Sequence, residues 1–139
     1  FEKYEGKTLL VVFWATWCST CVKKMQDLDN LQKDFRKLPF EVLAISEDYL
    51  GVGAIKQFYQ NYNLRHLAIL HDYKNQMMQI MGINSLPTAL IVDAEGKIIY
   101  EIIGPVNWHD DEVREMILEV IPGNPMLPKN SHKDLFLAF

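Results

Sequence analysis

Seven consecutive apolar residues, Leu9-Leu10-Val11-Val12-Phe13-Trp14-Ala15, run almost directly into two cysteines, Cys18 and Cys21. A different rhythm follows: Met25, Leu28, Leu31, Phe35 and Leu38 recur at spacings of three and four. An unbroken apolar run fits a strand covered on both faces. A period of three to four fits a helix with one face in a core. The cysteines therefore fall at a strand-to-helix junction, in the first turn of a helix reaching to about Leu38. That junction commits the chain to an α/β architecture.

The placement has chemical consequences. Two residues three apart in a helical turn lie on one face, at a Cα separation that suits a disulfide, roughly 4.4–6.8 Å. First-turn N–H groups lack helical partners, and the helix dipole is positive there. Both favour thiolate over thiol, so Cys18 is expected to be the low-pKa nucleophile. Cys21 lies deeper in the helix and is expected to be the more buried, resolving thiol.

Other readings of the pair stay open. It can be a structural disulfide, or half of a zinc site. The zinc reading needs two more ligands at ligand spacing. The chain has no other cysteine, and His66, His71, His109 and His132 form no H-x₃₋₅-H pair. No metal site is therefore expected.

The 139 residues suit one domain with a sizeable core. A formal net charge of -4 and the absence of a basic stripe point away from nucleic acid. No apolar run approaches the ~20 residues of a membrane helix. The chain starts at Phe1 without a signal-peptide pattern, so it is expected to be processed or part of something longer.

Further strands are expected at Phe40–Ser46, Leu67–Leu70, Thr88–Val92 and Ile98–Ile103, with Asp93–Lys97 as a hairpin loop. Helices are expected at Ala54–Tyr62, Asn75–Met81 and Asp110–Ile121, with Pro39 ending the first one. The sum is a sheet with an antiparallel edge and helices on its faces. Chemistry in such sheets collects beyond the C-terminal strand ends. Trp17-Cys18, Ser46-Glu47-Asp48 and His71-Asp72 should share that side. Residues 1–121 read as the domain. Residues 122–139, with Pro122, Gly123, Pro125 and Pro128, read as a C-terminal extension ending in Leu135, Phe136, Leu137 and Phe139.

Phe13-Trp14-Ala15-Thr16-Trp17-Cys18-Ser19-Thr20-Cys21 resembles the active-site block of the thioredoxin superfamily. Ser85-Leu86-Pro87-Thr88 and the strand after it resemble the superfamily's cis-proline loop, and Gly96-Lys97-Ile98 with Gly104 its hairpin and closing glycine. An extra helix–strand unit at Gly53–Asp72 is similar to the TlpA/ResA/DsbE branch, the membrane-tethered thiol-disulfide oxidoreductases of the bacterial envelope. The likeness runs from about Gly6 to Ile121. It implies a thioredoxin-like fold: a mixed central sheet flanked by helices, with an inserted helix–strand unit. It implies Cys18 as nucleophile, Cys21 as resolving cysteine, Pro87 as the cis-proline, and Trp17, Leu86 and Pro87 as the substrate groove. Trp14 is expected in the core. The implied function is reduction of protein disulfides in the periplasm, of the cytochrome c maturation or cytochrome oxidase copper-site class. It needs no cofactor. Its partners are disulfide-bearing proteins and an upstream thiol electron donor, with a membrane tether outside the present residues.

The chain also departs from the branch. Val12 stands where thioredoxins keep a buried acid, and Lys24 and Gln26 stand where ResA-like chains often have glutamate and proline. Ser19-Thr20 has no proline or histidine, and the N-terminal strands usual before Gly6 are mostly missing. Neither usual proton acceptor for Cys21 is present. Glu47 and Asp48 are the candidate replacements, with Lys24 as an electrostatic aid. The rival function is a Cu(I) carrier using both thiols as soft ligands, with His71 or His109 as a further ligand. A third reading is an interaction module whose cysteines only staple a loop.

Overall fold

The computed structural model of the protein describes residues 2–123. The extension expected at 122–139 falls, past Gly123, outside them. The described elements are β1 (Thr8–Trp14), α1 (Ser19–Asp34), β2 (Phe40–Ser46), α2 (Val52–Asn61), β3 (Leu70–His71), α3 (Gln76–Ile80), β4 (Thr88–Val92), β5 (Ile98–Ile103) and α4 (Asp111–Val120).

The strands form one sheet in the order β3-β2-β1-β4-β5. β1, β2 and β3 are mutually parallel, β4 runs antiparallel to β1, and β5 antiparallel to β4. All seven residues of β1 are buried because both its faces are covered. Leu10, Val12 and Trp14 face one core layer with Met25, Leu28 and Leu31 of α1, Ile55 and Phe58 of α2, and Ile117 of α4. Leu9, Val11 and Phe13 face a second, thinner layer with Leu43, Ile45 and Leu90, against which Met77 and Met78 of α3 pack. The thinner layer leaves a cavity of about 670 Å³ beside Leu9, Val11, Met77, Met81, Leu90 and Ile98.

Three elements differ from the sequence expectation, each for a local reason. α1 stops at Asp34, not near Leu38. Leu38 precedes a proline and is pushed out of the helical region. The chain turns instead, with Leu38 N donating to Phe35 O at 3.0 Å, and the rings of Phe35 and Phe40 meet edge to face at 5.4 Å. β3 is two residues long and does not begin at Leu67. The backbone N–H groups of His66 and Leu67 are taken by the Asp29 carboxylate, at 2.7 and 3.2 Å, and the Ala68 carbonyl by Tyr59 Oη at 2.9 Å. Those groups have no ladder to join. The expected helix at Asn75–Met81 divides into a 3₁₀ turn, Tyr73–Asn75, and α3. Lys74 and Asn75 both have φ near +55°, which no helix continues through (φ 54° and 56°).

Candidate active site

β1 ends at Trp14, and the chain turns through Ala15, Thr16 and Trp17 into α1. Cys18 is the N-cap of that helix, in extended conformation, and its Sγ accepts the backbone N–H of Cys21 at 3.3 Å. The helix continues with Val22 N donating to Cys18 O at 3.0 Å. Cys18 and Cys21 are disulfide-bonded, with their Cα atoms 5.2 Å apart. Cys18 is 8% exposed and Cys21 2%. Cys18 thus sits at the positive end of the helix with a backbone donor on its sulfur, and both stabilise a thiolate. Thr20 Oγ1 lies 3.5 Å from the same sulfur.

Cys21 faces inward, onto a small cavity of about 10 Å³ shared with Val12, Trp14, Lys24, Pro87 and Trp108. That is roughly the space of one water molecule. Lys24 is half-buried on its lining, and its Nζ donates to Asn107 Oδ1. The Leu86–Pro87 peptide is cis, and the Pro87 carbonyl accepts Gly104 N at 2.8 Å. Pro87 therefore stands on the wall that Cys21 faces, and Leu86 contributes to both core layers. Trp17 is 65% exposed beside the pair, whereas Trp14 is fully buried with its ring 5.1 Å from that of Phe58.

Glu47 and Asp48 stand at the same end of the sheet, as their position after β2 requires, but they do different things. Asp48 holds the active-site loop. Its carboxylate accepts Thr16 N at 3.0 and 3.1 Å, Thr16 Oγ1 at 2.6 Å, and the Ser46 hydroxyl. Glu47 lies on the sheet register of Leu43 and Ile45, which face the layer opposite the cysteines. It is 2% exposed and its Oε1 accepts Asn75 Nδ2 at 2.7 Å. Burial pushes its carboxyl up to about 8; Asn75 pulls the other way, and the neighbouring Asp72 carboxyl pushes up again. Neither carboxylate is hydrogen-bonded to a cysteine.

Among the described residues, no group of three or more His, Cys, Asp or Glu is placed to hold a metal ion. His66 Nδ1 lies 3.0 Å from Asp29 Oδ2, His109 Nδ1 lies 3.0 Å from Asp27 Oδ2, and His71 Nε2 lies 2.7 Å from the Asp48 carbonyl. His132 falls outside the described residues. Sequence reasoning did not single out Thr16, Asn75 or Asn107. Each meets its partner across 28 or more positions, and only the polar pair itself, invisible in any local window, would have marked it.

The family model described as Redoxin matches residues 1–117. The thiol-disulfide oxidoreductase ResA of Bacillus thuringiensis subsp. konkukian is 28% identical over 121 residues, which cover 87% of this chain and 68% of the relative. Among solved structures, the exposed lipoprotein thioredoxin Etrx1 of Streptococcus pneumoniae superposes with a TM-score of 0.73 at 25% identity, over 85% of this chain and 88% of that one. A Chlorobium tepidum protein described as a DsbE thiol:disulfide interchange protein superposes with a TM-score of 0.75 at 22% identity, over 86% and 83%.

Proposed function

Because this chain belongs to the Redoxin family and has a thioredoxin-like fold, we propose that it reduces protein disulfides at the bacterial cell envelope. It is a thiol-disulfide oxidoreductase of the ResA/DsbE type. The observation that carries the reaction is the Cys18–Cys21 disulfide at a helix N-terminus, with Cys18 on the N-cap and Cys21 one turn into the helix.

The exchange runs in two steps. The Cys18 thiolate attacks one sulfur of the target disulfide, and the target's other sulfur leaves as a thiolate. Cys21, deprotonated, then attacks Cys18 Sγ and releases the second target thiol. Two electrons pass from the dithiol to the target, and the protein is left in the disulfide form described above. An upstream thiol donor restores the dithiol. Trp17, Leu86 and Pro87 line the approach to Cys18. The bonds made by Asp48 support a role in holding the loop, and those made by Glu47 a role in the second core layer. The Cys21 proton then passes to solvent water by way of the small cavity, and the Lys24 ammonium that lines it favours the thiolate left behind.

The resemblance to ResA and to a pneumococcal lipoprotein supports an envelope location with a membrane tether outside these residues. No described helix is long and apolar enough to cross a membrane. The target class that fits is apocytochrome c or the copper-site proteins of cytochrome oxidase. The equilibrium potential of the Cys18–Cys21 couple against dithiothreitol tests the direction. A reductant should lie near or below thioredoxin, about -270 mV. A value near -120 mV would make the protein an oxidant.

A further inference from the structure

Three loops leave the sheet side by side at the redox end, and each carries an exposed aromatic or large apolar side chain. The register aligns Trp14 of β1 with Ser46 of β2, and Ser46 with His71 of β3. Neighbouring strands are about 4.8 Å apart. The chains that leave these three residues therefore start within about 10 Å of one another. They lead to Trp17, to Tyr49-Leu50 and to Tyr73. These four side chains are 65%, 84%, 86% and 65% exposed.

The loops are also fastened to one another. The Asp48 carboxylate accepts Thr16 N, one residue before Trp17. Asp48 is itself one residue before Tyr49. The Asp48 carbonyl meets His71 Nε2 at 2.7 Å, two residues before Tyr73. Asp48 N donates to Ser46 Oγ at 3.1 Å, which fixes the turn out of β2. A polar chain, Thr16–Asp48–His71, in which Asp48 is buried and the other two are half-buried, thus links the three loops that carry the exposed apolar side chains. The carboxylates of these loops, Glu47, Asp48 and Asp72, are buried, whereas Lys74 is exposed, with its Nζ over the Tyr73 ring, 5.3 Å from the centroid.

Clustered exposed apolar residues mark contact surfaces in soluble domains. Aromatic side chains on a fixed backbone lose little freedom when they are covered. We propose that Tyr49, Leu50 and Tyr73 select the substrate: they hold the chain segment beside the target disulfide, and that segment is apolar or aromatic. The inference deepens the thiol–disulfide reading and rests on it. Trp17 is the residue before Cys18 and follows Thr16, which Asp48 ties to the β2 loop, so a target whose disulfide lies over Cys18 extends its flanking residues toward the β2 and β3 loops. The reaction is unchanged. The protein dithiol becomes the Cys18–Cys21 disulfide as the target disulfide becomes two thiols.

The test uses protein reduced with dithiothreitol, freed of reductant, and mixed with a disulfide while tryptophan fluorescence is followed. Three substrates are compared: hydroxyethyl disulfide, a peptide disulfide flanked by Phe and Leu, and the same peptide flanked by Ser and Gly. The wild type should react about ten-fold faster with the apolar peptide than with the polar one. The double variant Tyr49→Ser/Leu50→Ser should lose most of that preference. Tyr73→Ser should lose part of it. The rate with hydroxyethyl disulfide should change by less than two-fold in all of them. Equal preference in wild type and variants would overturn the proposal. So would a parallel fall with all three substrates, which would mean that the loop only supports Cys18. No reaction of the wild type with hydroxyethyl disulfide would instead overturn the thiol–disulfide reading itself.

Discussion

Cys18 Sγ accepts the backbone N–H of Cys21 at 3.3 Å, so the helix cap and the redox bond join the same two residues. The cap does not depend on the Cys21 side chain. A Cys21→Ser variant keeps the N–H and should keep Cys18 reactive. It should accumulate a mixed disulfide with a target protein, visible on a non-reducing gel. Cys18→Ser should trap none. Trapping by the second variant alone would reverse the two roles. Cys18 in the Cys21→Ser variant should also alkylate with iodoacetamide at pH 7 several-fold faster than free cysteine, whose pKa is about 8.5.

Among the described residues, Asp48 is the sole side-chain partner of the Thr16 backbone N–H, across 32 positions. Asp48→Ala leaves that donor and two hydroxyls without their acceptor. An orphaned buried donor costs about 1–3 kcal/mol. Urea unfolding should show a loss in that range or above it, and Asp48→Asn, which keeps one acceptor, a smaller loss. No change in either variant would mean that the loop is held by its backbone alone.

Glu47 makes stability depend on pH. Its folded carboxyl is raised from 4.5 to about 8 by burial first, with Asp72 adding to the effect. Between those values the folded state holds a proton that the unfolded state has released. Its contribution is therefore fully present below about 4.5 and is lost as pH rises toward 8. The stability of Glu47→Gln relative to wild type should climb from pH 5 to pH 8, by at most about 1.4 kcal/mol per pH unit. A constant difference across that range would place the Glu47 titration elsewhere.

Lys24 lines the cavity that Cys21 faces, with Asn107 as its partner. Lys24→Met should slow release of the target from the mixed disulfide several-fold while leaving the first attack by Cys18 unchanged. Asn107→Ala, which frees the ammonium, should have a smaller effect in the same direction. Stopped-flow tryptophan fluorescence separates the two steps. Equal rates in all three proteins would remove the ammonium from this step.

The sequence was most legible where burial is one-dimensional. β1 and β2 read as apolar runs because helices cover them, and the face of α1 reads from Met25 to Phe35 by its period. The cysteine pair was located by that same junction. The neighbours of each strand were not legible, because periodicity carries no register. That β4 lies against β1, Val12 opposite Ala89, belongs to the whole sheet. β5 reads as apolar, yet Ile98, Ile99, Tyr100 and Ile103 are exposed on an edge. The length of β3 was hidden because it is set by Asp29 and Tyr59, which no window around Leu67 contains. Asp48 was found as a charge near the pair, but its task depends on Thr16, on another strand's loop.

The hydroxyl of Thr8 donates to the carbonyl of Val120 at 3.0 Å. One residue opens β1 and the other closes α4. β1 then carries the chain about 20 Å away before it reaches the cysteines. The start of β1 and the end of α4 therefore meet at one pole of the described residues, and the reactive sulfur lies toward the other. A tether joined ahead of Thr8 would hold this protein at the pole opposite Cys18.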